Sequence, residues 1–126
     1  MIVLDASALL AYLFRESGHQ VVAEYIESAC ISTVNLSEVA GRFIRDGIDP
    51  SPLIQQIDKT SIKIVPFTQA HALHAAHFIP QTKRHGLSLG DRACLGLAKE
   101  SNLTVLTADT AWTEIADIGV NIIQIR

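Results

Sequence analysis

Four acids in this sequence, Asp5, Glu38, Asp91 and Asp109, fall where the chain changes character. Asp5 follows the apolar run Ile2-Val3-Leu4, and Asp109 falls just past the β-rich run Leu103 to Thr107. Asp91 comes three residues after Ser88, at the start of a helical apolar pattern that Ala93, Leu95, Leu97 and Ala98 continue until Ser101-Asn102 stops it. Glu38 lies one turn into a helical stretch from Val34 to Arg45. Close carboxylates in a low-dielectric cleft repel one another and take up protons unless hard cations, which prefer oxygen ligands, neutralise them. The expected ion is Mg²⁺ or Mn²⁺. Such an ion can orient and deprotonate water, and a pair can stabilise the attacking and leaving oxygens of phosphodiester cleavage. A structural use stands beside this one, because acids near helix N-termini also cap amides and complement the helix dipole. Ser88/Asp91 and Asn35/Glu38 both have the spacing of capping boxes.

The elements that must position these acids alternate. Ile2 to Leu4 suits a strand buried on both faces, and Ala8 to Phe14 is helical. Gly18 separates a second helix with Val21, Val22, Tyr25 and Ile26 as its apolar stripe, and Ala29 to Ser32 is a second strand. In the Val34–Arg45 helix, Asn35 can cap the start, Leu36, Val39, Ala40, Phe43 and Ile44 mark the core face, and Asp46-Gly47 closes it. Pro50-Ser51-Pro52 opens a short helix to about Lys59, Ile62 to Phe67 is a third strand, and Thr68 to Phe78 is a helix that Pro80 ends. The helix carrying Asp91, the Leu103–Thr107 strand and a last strand from Asn121 to Ile125 complete the order β-α-α-β-α-α-β-α-α-β-α-β. This predicts an α/β fold with a mostly parallel central sheet sandwiched by helices. In such a sheet the strand C-termini and the following helix N-termini share one edge, where ligands bind, so the four acids are expected to converge there.

A chain of 126 residues, 48% hydrophobic and without a linker, repeat or low-complexity segment, is expected to form one domain over 1–126. No apolar run approaches the roughly 18 to 20 residues of a membrane span, and the N-terminus begins a strand with no signal-peptide pattern. A cytosolic protein is expected. Cys30 and Cys94, far apart in apolar surroundings, read as buried small hydrophobes. A net charge of −3 argues against binding nucleic acid by overall positive charge and leaves a local basic face open. Asp5-Ala6-Ser7 lacks the second Asp of a DxD phosphatase, and Val65-Pro66-Phe67-Thr68 offers no phospho-accepting Asp for a receiver domain. There is no G-x-G-x-x-G or Walker loop, which disfavours a nucleotide cofactor.

Four stretches, in this order and spacing, resemble PIN-domain ribonucleases, specifically VapC-type toxins of toxin–antitoxin pairs. They are Val3-Leu4-Asp5-Ala6-Ser7-Ala8, Asn35-Leu36-Ser37-Glu38-Val39, Leu87-Ser88-Leu89-Gly90-Asp91-Arg92-Ala93-Cys94-Leu95 and Leu106-Thr107-Ala108-Asp109-Thr110-Ala111-Trp112. The resemblance covers essentially the full length. It implies a PIN-like three-layer α/β/α fold in which Asp5, Glu38, Asp91 and Asp109 hold one or two Mg²⁺ or Mn²⁺ ions, with Ser7 and Thr107 as supporting oxygens. It also implies an RNA substrate, a small antitoxin partner and a homodimer. Two rivals remain: a PIN nuclease in RNA processing or DNA cleavage without a toxin role, and a non-catalytic module in which the acids serve only as caps.

Other candidates carry a weaker signal. His71, His74 and His77 recur every third residue, not at the i, i+4 spacing of a helical zinc pair, and read as a solvated helix face. Lys83-Arg84-His85, Arg42 and Arg45 offer either contacts to RNA phosphates or ordinary surface charge. Trp112 could stack on a base, although a core or lid aromatic is the commoner use.

Overall fold

The central strands are buried on both faces, and the face to which each residue points sets the layers. In the computed structural model, which describes residues 1–115 and 118–126, β1 is Ile2–Leu4 and β2 is Ala29–Ser32. Next come β3 (Lys63–Val65), β4 (Thr104–Thr107) and β5 (Ile122–Gln124). They form one parallel sheet in the order β3-β2-β1-β4-β5. Successive strand side chains point to opposite faces. Accordingly Ile2, Leu4, Ile31 and Leu106 join the core on one face, while Val3, Cys30 and Val105 join the core on the other.

The first face is covered by α1 (Ala6–Phe14), α2 (His19–Tyr25), α3 (Thr33–Arg45) and α4 (Ser51–Asp58), which contribute Leu9, Val22, Val39, Phe43, Leu53 and Ile57. The second is covered mainly by α7 (Leu89–Ser101), through Cys94, Leu95, Leu97 and Ala98, together with Phe78 and Trp112. Outside α7 lies α5 (Gln69–His77), followed by the short α6 (Ile79–Thr82). Helices α5 and α7 approach closely at Gly96, where a Cβ would lie 2.7 Å from the His71 carbonyl oxygen. Three 3₁₀ turns, Ile26–Ser28, Lys83–His85 and Thr110–Glu114, complete the described elements. Among the described residues no helix is long and apolar enough to cross a membrane.

The expected element order holds, with local differences that have physical causes. Helix α3 begins at Thr33 because the Ser32 hydroxyl, not Asn35, caps it by accepting the Val34 N–H at 3.2 Å. Pro80 does not end a helix; it sits in the first turn of α6, where its missing N–H costs nothing. Strand β3 stops at Val65, before Pro66, which has no N–H to give a ladder, and the Phe67 N–H turns to Thr33 Oγ1 at 3.1 Å. The connection from β4 to β5 contains a 3₁₀ turn where a helix was expected.

The strand order reverses between β1 and β4: the chain leaves β1 for β2 on one side and returns on the other. In an open α/β sheet a crevice forms at such a point beyond the strand C-termini. Asp5 and Thr107 stand at that point.

Candidate active site at the sheet's C-terminal edge

Asp5 is the N-cap of α1 and is only 3% exposed. Its Oδ1 accepts the Ser7 hydroxyl at 2.7 Å and the Ala8 N–H at 2.8 Å, and its Oδ2 accepts the Thr107 hydroxyl at 2.6 Å. Ser7 Oγ in turn accepts the Ala108 N–H at 2.9 Å, and Thr107 Oγ1 accepts the Asp109 N–H at 3.0 Å. The ends of β1 and β4 are thereby tied through one carboxylate. Burial pushes the Asp5 pKa up from 3.8 to about 6, and the charge of Asp91 adds to this, against the opposing effect of the donors from Thr107, Ser7 and Ala8.

Glu38 is half-buried on α3. Its Oε1 accepts the Asn35 side-chain N–H at 2.8 Å, and the same amide nitrogen donates to the Gly90 carbonyl at 3.0 Å. Asn35 therefore joins α3 to the first turn of α7 and does not cap its own helix. A Cβ on Gly90 would lie 2.6 Å from Glu38 Oε1 and closer still to Oε2, so the carboxylate sits where most residues would place a side chain. Burial raises the Glu38 pKa, Asn35 opposes it, and the charge of Asp91 adds to it.

Asp91 forms a capping box at the start of α7: its Oδ2 accepts the Ser88 N–H at 2.9 Å, and the Ser88 hydroxyl accepts the Asp91 N–H at 3.2 Å. Burial raises its pKa, Ser88 opposes this, Asp109 adds to it and neighbouring Arg92 lowers it. The Arg92 guanidinium also donates to the Ala75 carbonyl at 3.1 Å. Asp109 is exposed and caps the 3₁₀ turn after β4, its Oδ1 accepting the Ala111 N–H at 2.9 Å. Burial holds the Cys94 thiol well above its ordinary range, and Asp5, Asp91 and Glu38 add to that. The charge of Asp91 thus adds to the raised pKa of Asp5 and of Glu38, and that of Asp109 adds to the raised pKa of Asp91.

The donor chemistry fits a hard divalent cation. Glu38, Asp91 and Asp109 each spend one carboxylate oxygen on a protein N–H, and Glu38 Oε2, Asp91 Oδ1 and Asp109 Oδ2 accept no hydrogen bond among the described residues. Burial, and secondarily the neighbouring negative charge, raises the pKa of Asp5, Glu38 and Asp91, and a bound cation would offset both. As arranged, no three His, Cys, Asp or Glu side chains among the described residues stand close enough to enclose an ion. Binding would require Glu38, Asp91 or Asp109 to turn toward it.

The weaker candidates resolve differently. His71 is not on a solvated face: it is buried and completes the α5 capping box, its Nδ1 accepting the Thr68 N–H at 3.2 Å. His74 Nε2 lies 2.7 Å from Glu100, and His77 is exposed. Trp112 is fully buried in the second core, out of reach of a base. Arg42 is occupied by Asp46 at 2.8 Å, Arg45 is exposed, and Lys83-Arg84-His85 forms an exposed to half-buried 3₁₀ turn. The N-x-x-E spacing places Asn35 and Glu38 on one helix face, and Gly90 sits in a helical turn that Ala would favour. The first signal fits a cap as well as an inward-facing pair, so it leaves the role of Asn35 open, while the second marks Gly90 as a position to explain.

The profile of the PIN domain matches residues 2–118. No curated protein matches the sequence. Solved structures similar in fold include a toxin–antitoxin complex from Klebsiella pneumoniae, at TM-score 0.77 and 16% identity, covering 100% of this chain and 98% of that one. FitAcB from Neisseria gonorrhoeae aligns at TM-score 0.74 and 23% identity, covering 99% and 98%. VapC20 from Mycobacterium tuberculosis, described as a sarcin-ricin loop cleaving toxin, aligns at TM-score 0.74 and 13% identity, covering 96% and 99%.

Proposed function

The chain belongs to the PIN-domain family, and on that premise we propose that it is a Mg²⁺- or Mn²⁺-dependent endoribonuclease, the toxin of a toxin–antitoxin pair acting in the cytosol. The observation that carries the proposal is the set of acids at the β1/β4 crevice. There burial raises the pKa of Asp5, Glu38 and Asp91, and the charge of Asp91 adds to the first two as that of Asp109 adds to the third. Asp5, Glu38, Asp91 and Asp109 would hold one or two ions, whose chemistry is to make water nucleophilic at neutral pH and to neutralise charge on the phosphate. Asp5, locked by Ser7, Ala8 and Thr107, is the rigid ligand and loses no side-chain freedom on binding. Glu38 presents its free oxygen from α3, and Asp91 and Asp109 present theirs from separate elements and adjust to the ion. Ser7 and Thr107 support Asp5 as hydroxyl donors.

An antitoxin has a surface to use beside this edge. Thr33, Leu36, Ser37 and Ala40 of α3, with Pro50, Leu53 and Ile54 at α4, line a groove of about 390 Å³, and Ile44, Ile48 and Ile54 are exposed nearby. Apolar side chains of a partner segment would fill that groove while an Arg or Lys reaches the acids. Pairing of two copies into a homodimer belongs to the same proposal and is read by light scattering. One observation favours a second reading for Asp91 alone, since its capping box also gives it a structural role.

The test is cleavage of RNA by purified protein with Mn²⁺, in EDTA, and by Asp5→Asn. Cleavage should require the metal and vanish in the variant while the fold persists; undiminished cleavage in EDTA would sink the proposal.

A further inference from the structure

We infer that Asn35 and Gly90 together form a seat that positions the Glu38 carboxylate, and that Asn35 is thus a positioning residue for the site. The inference rests on the metal-holding reading above and extends it to residues that touch neither ion nor substrate.

The seat has two independent halves. Asn35 is 1% exposed, and its amide nitrogen donates both to Glu38 Oε1 at 2.8 Å and to the Gly90 carbonyl at 3.0 Å. Both neighbours are acceptors, so the amide cannot be flipped without setting oxygen against oxygen. In the orientation that remains, Asn35 Oδ1 is buried with no hydrogen-bond partner among the described residues. An orphaned buried oxygen is a cost to the fold, and packing alone does not explain why an amide stands there. The second half is Gly90, whose Cβ position is occupied by the Glu38 carboxylate. Glycine in a helical turn is less favourable than alanine, and this approach of a charged group supplies a reason for it. Glu38 is therefore held by a donor on its own helix and admitted by a gap in the next. Its Oε1 is spent on Asn35 and its Oε2 stays free. A half-buried flexible side chain would otherwise choose among rotamers and bind a cation more weakly.

The experiment measures Mn²⁺ affinity by calorimetry and melting temperature in EDTA for the wild type, Gly90→Ala, Asn35→Ala, Glu38→Gln and the double variant Gly90→Ala/Glu38→Gln. The clash in Gly90→Ala falls on the end of a flexible side chain, so that variant should melt at or above the wild type while its Mn²⁺ affinity drops by about ten- to a hundred-fold, the usual loss when a ligand's support is removed. Asn35→Ala should lose affinity similarly. In the Glu38→Gln background Gly90→Ala should change affinity no further, because the group it displaces is already gone. Wild-type affinity in Gly90→Ala, or an equal further loss in the double variant, overturns the seat. If Glu38→Gln itself leaves Mn²⁺ binding unchanged, Glu38 is no ligand, and the metal-holding reading of that residue falls along with the inference. Should Asn35→Ala fail to fold, the Gly90 arm decides alone.

Discussion

Asp5 is a carboxylate that the fold both needs and resists. Its three donors favour the charged form, yet burial outweighs them and lifts the pKa from 3.8 to about 6. Because the folded value is above the unfolded one, this group's stabilising contribution is fully present below pH 3.8 and is lost as pH rises through about 6. In the metal-free protein ionised Asp5 then costs about 3 kcal/mol at neutral pH, an order-of-magnitude figure at 1.36 kcal/mol per unit. Asp5→Asn should accordingly raise the melting temperature in EDTA at pH 7 and flatten its dependence between pH 4 and 7. Asn can still accept from Ser7 and Ala8, and Thr107 Oγ1 can accept its amide. A pH series of thermal melts on both proteins checks this; an Asp5→Asn protein less stable than wild type at pH 7 would show that the donors outweigh burial.

Helix α7 concentrates the tension between structure and function, because Asp91 is at once a capping residue and an acid whose charge adds to the raised pKa of Asp5 and Glu38. Asp91→Asn keeps an oxygen for the Ser88 N–H and removes charge repelled by its neighbours. It should melt at or above the wild type in EDTA while RNA cleavage is lost. Asp91→Ala also removes the cap and should cost about 1 kcal/mol of stability. If Asp91→Asn cleaves RNA at the wild-type rate, only the capping role stands. At this scale element types were legible from apolar periodicity, and the Ser88/Asp91 box from its spacing. The role of Asn35 was not. The same N-x-x-E spacing fits a cap or an inward-facing pair, and only the neighbouring Ser32 hydroxyl and the Gly90 carbonyl decide between them.

Across the whole molecule, the acidic crevice and the apolar α3/α4 groove both involve α3, which carries Glu38 as well as Leu36 and Ala40. A partner gripping both would combine a salt-sensitive contact with a salt-insensitive one. Co-expression with a small upstream-encoded protein should therefore yield a complex that survives high salt. Its inhibition of RNA cleavage should weaken as salt or Mg²⁺ rises. Failure to co-purify, together with normal growth when this chain is expressed alone, would remove the toxin role and favour an RNA-processing nuclease.

By itself the sequence determined the layered α/β architecture and the edge on which Asp5, Glu38, Asp91 and Asp109 lie, because both follow from local periodicity and from the rule that parallel strands end together. It also carried the burial of Cys30 and Cys94, since small apolar-context thiols seldom stay exposed. Only the tertiary structure decided which groups touch across elements. His71 was turned inward by the packing of α5 on α7, and Trp112 was drawn into the second core. Thr107 met Asp5 across 102 positions of chain because β1 and β4 are neighbours in the sheet. Glu38 found its place over Gly90 because α3 and α7 start at the same edge. Such contacts depend on strand order and on helix approach, and neither is written in the periodicity of any single segment.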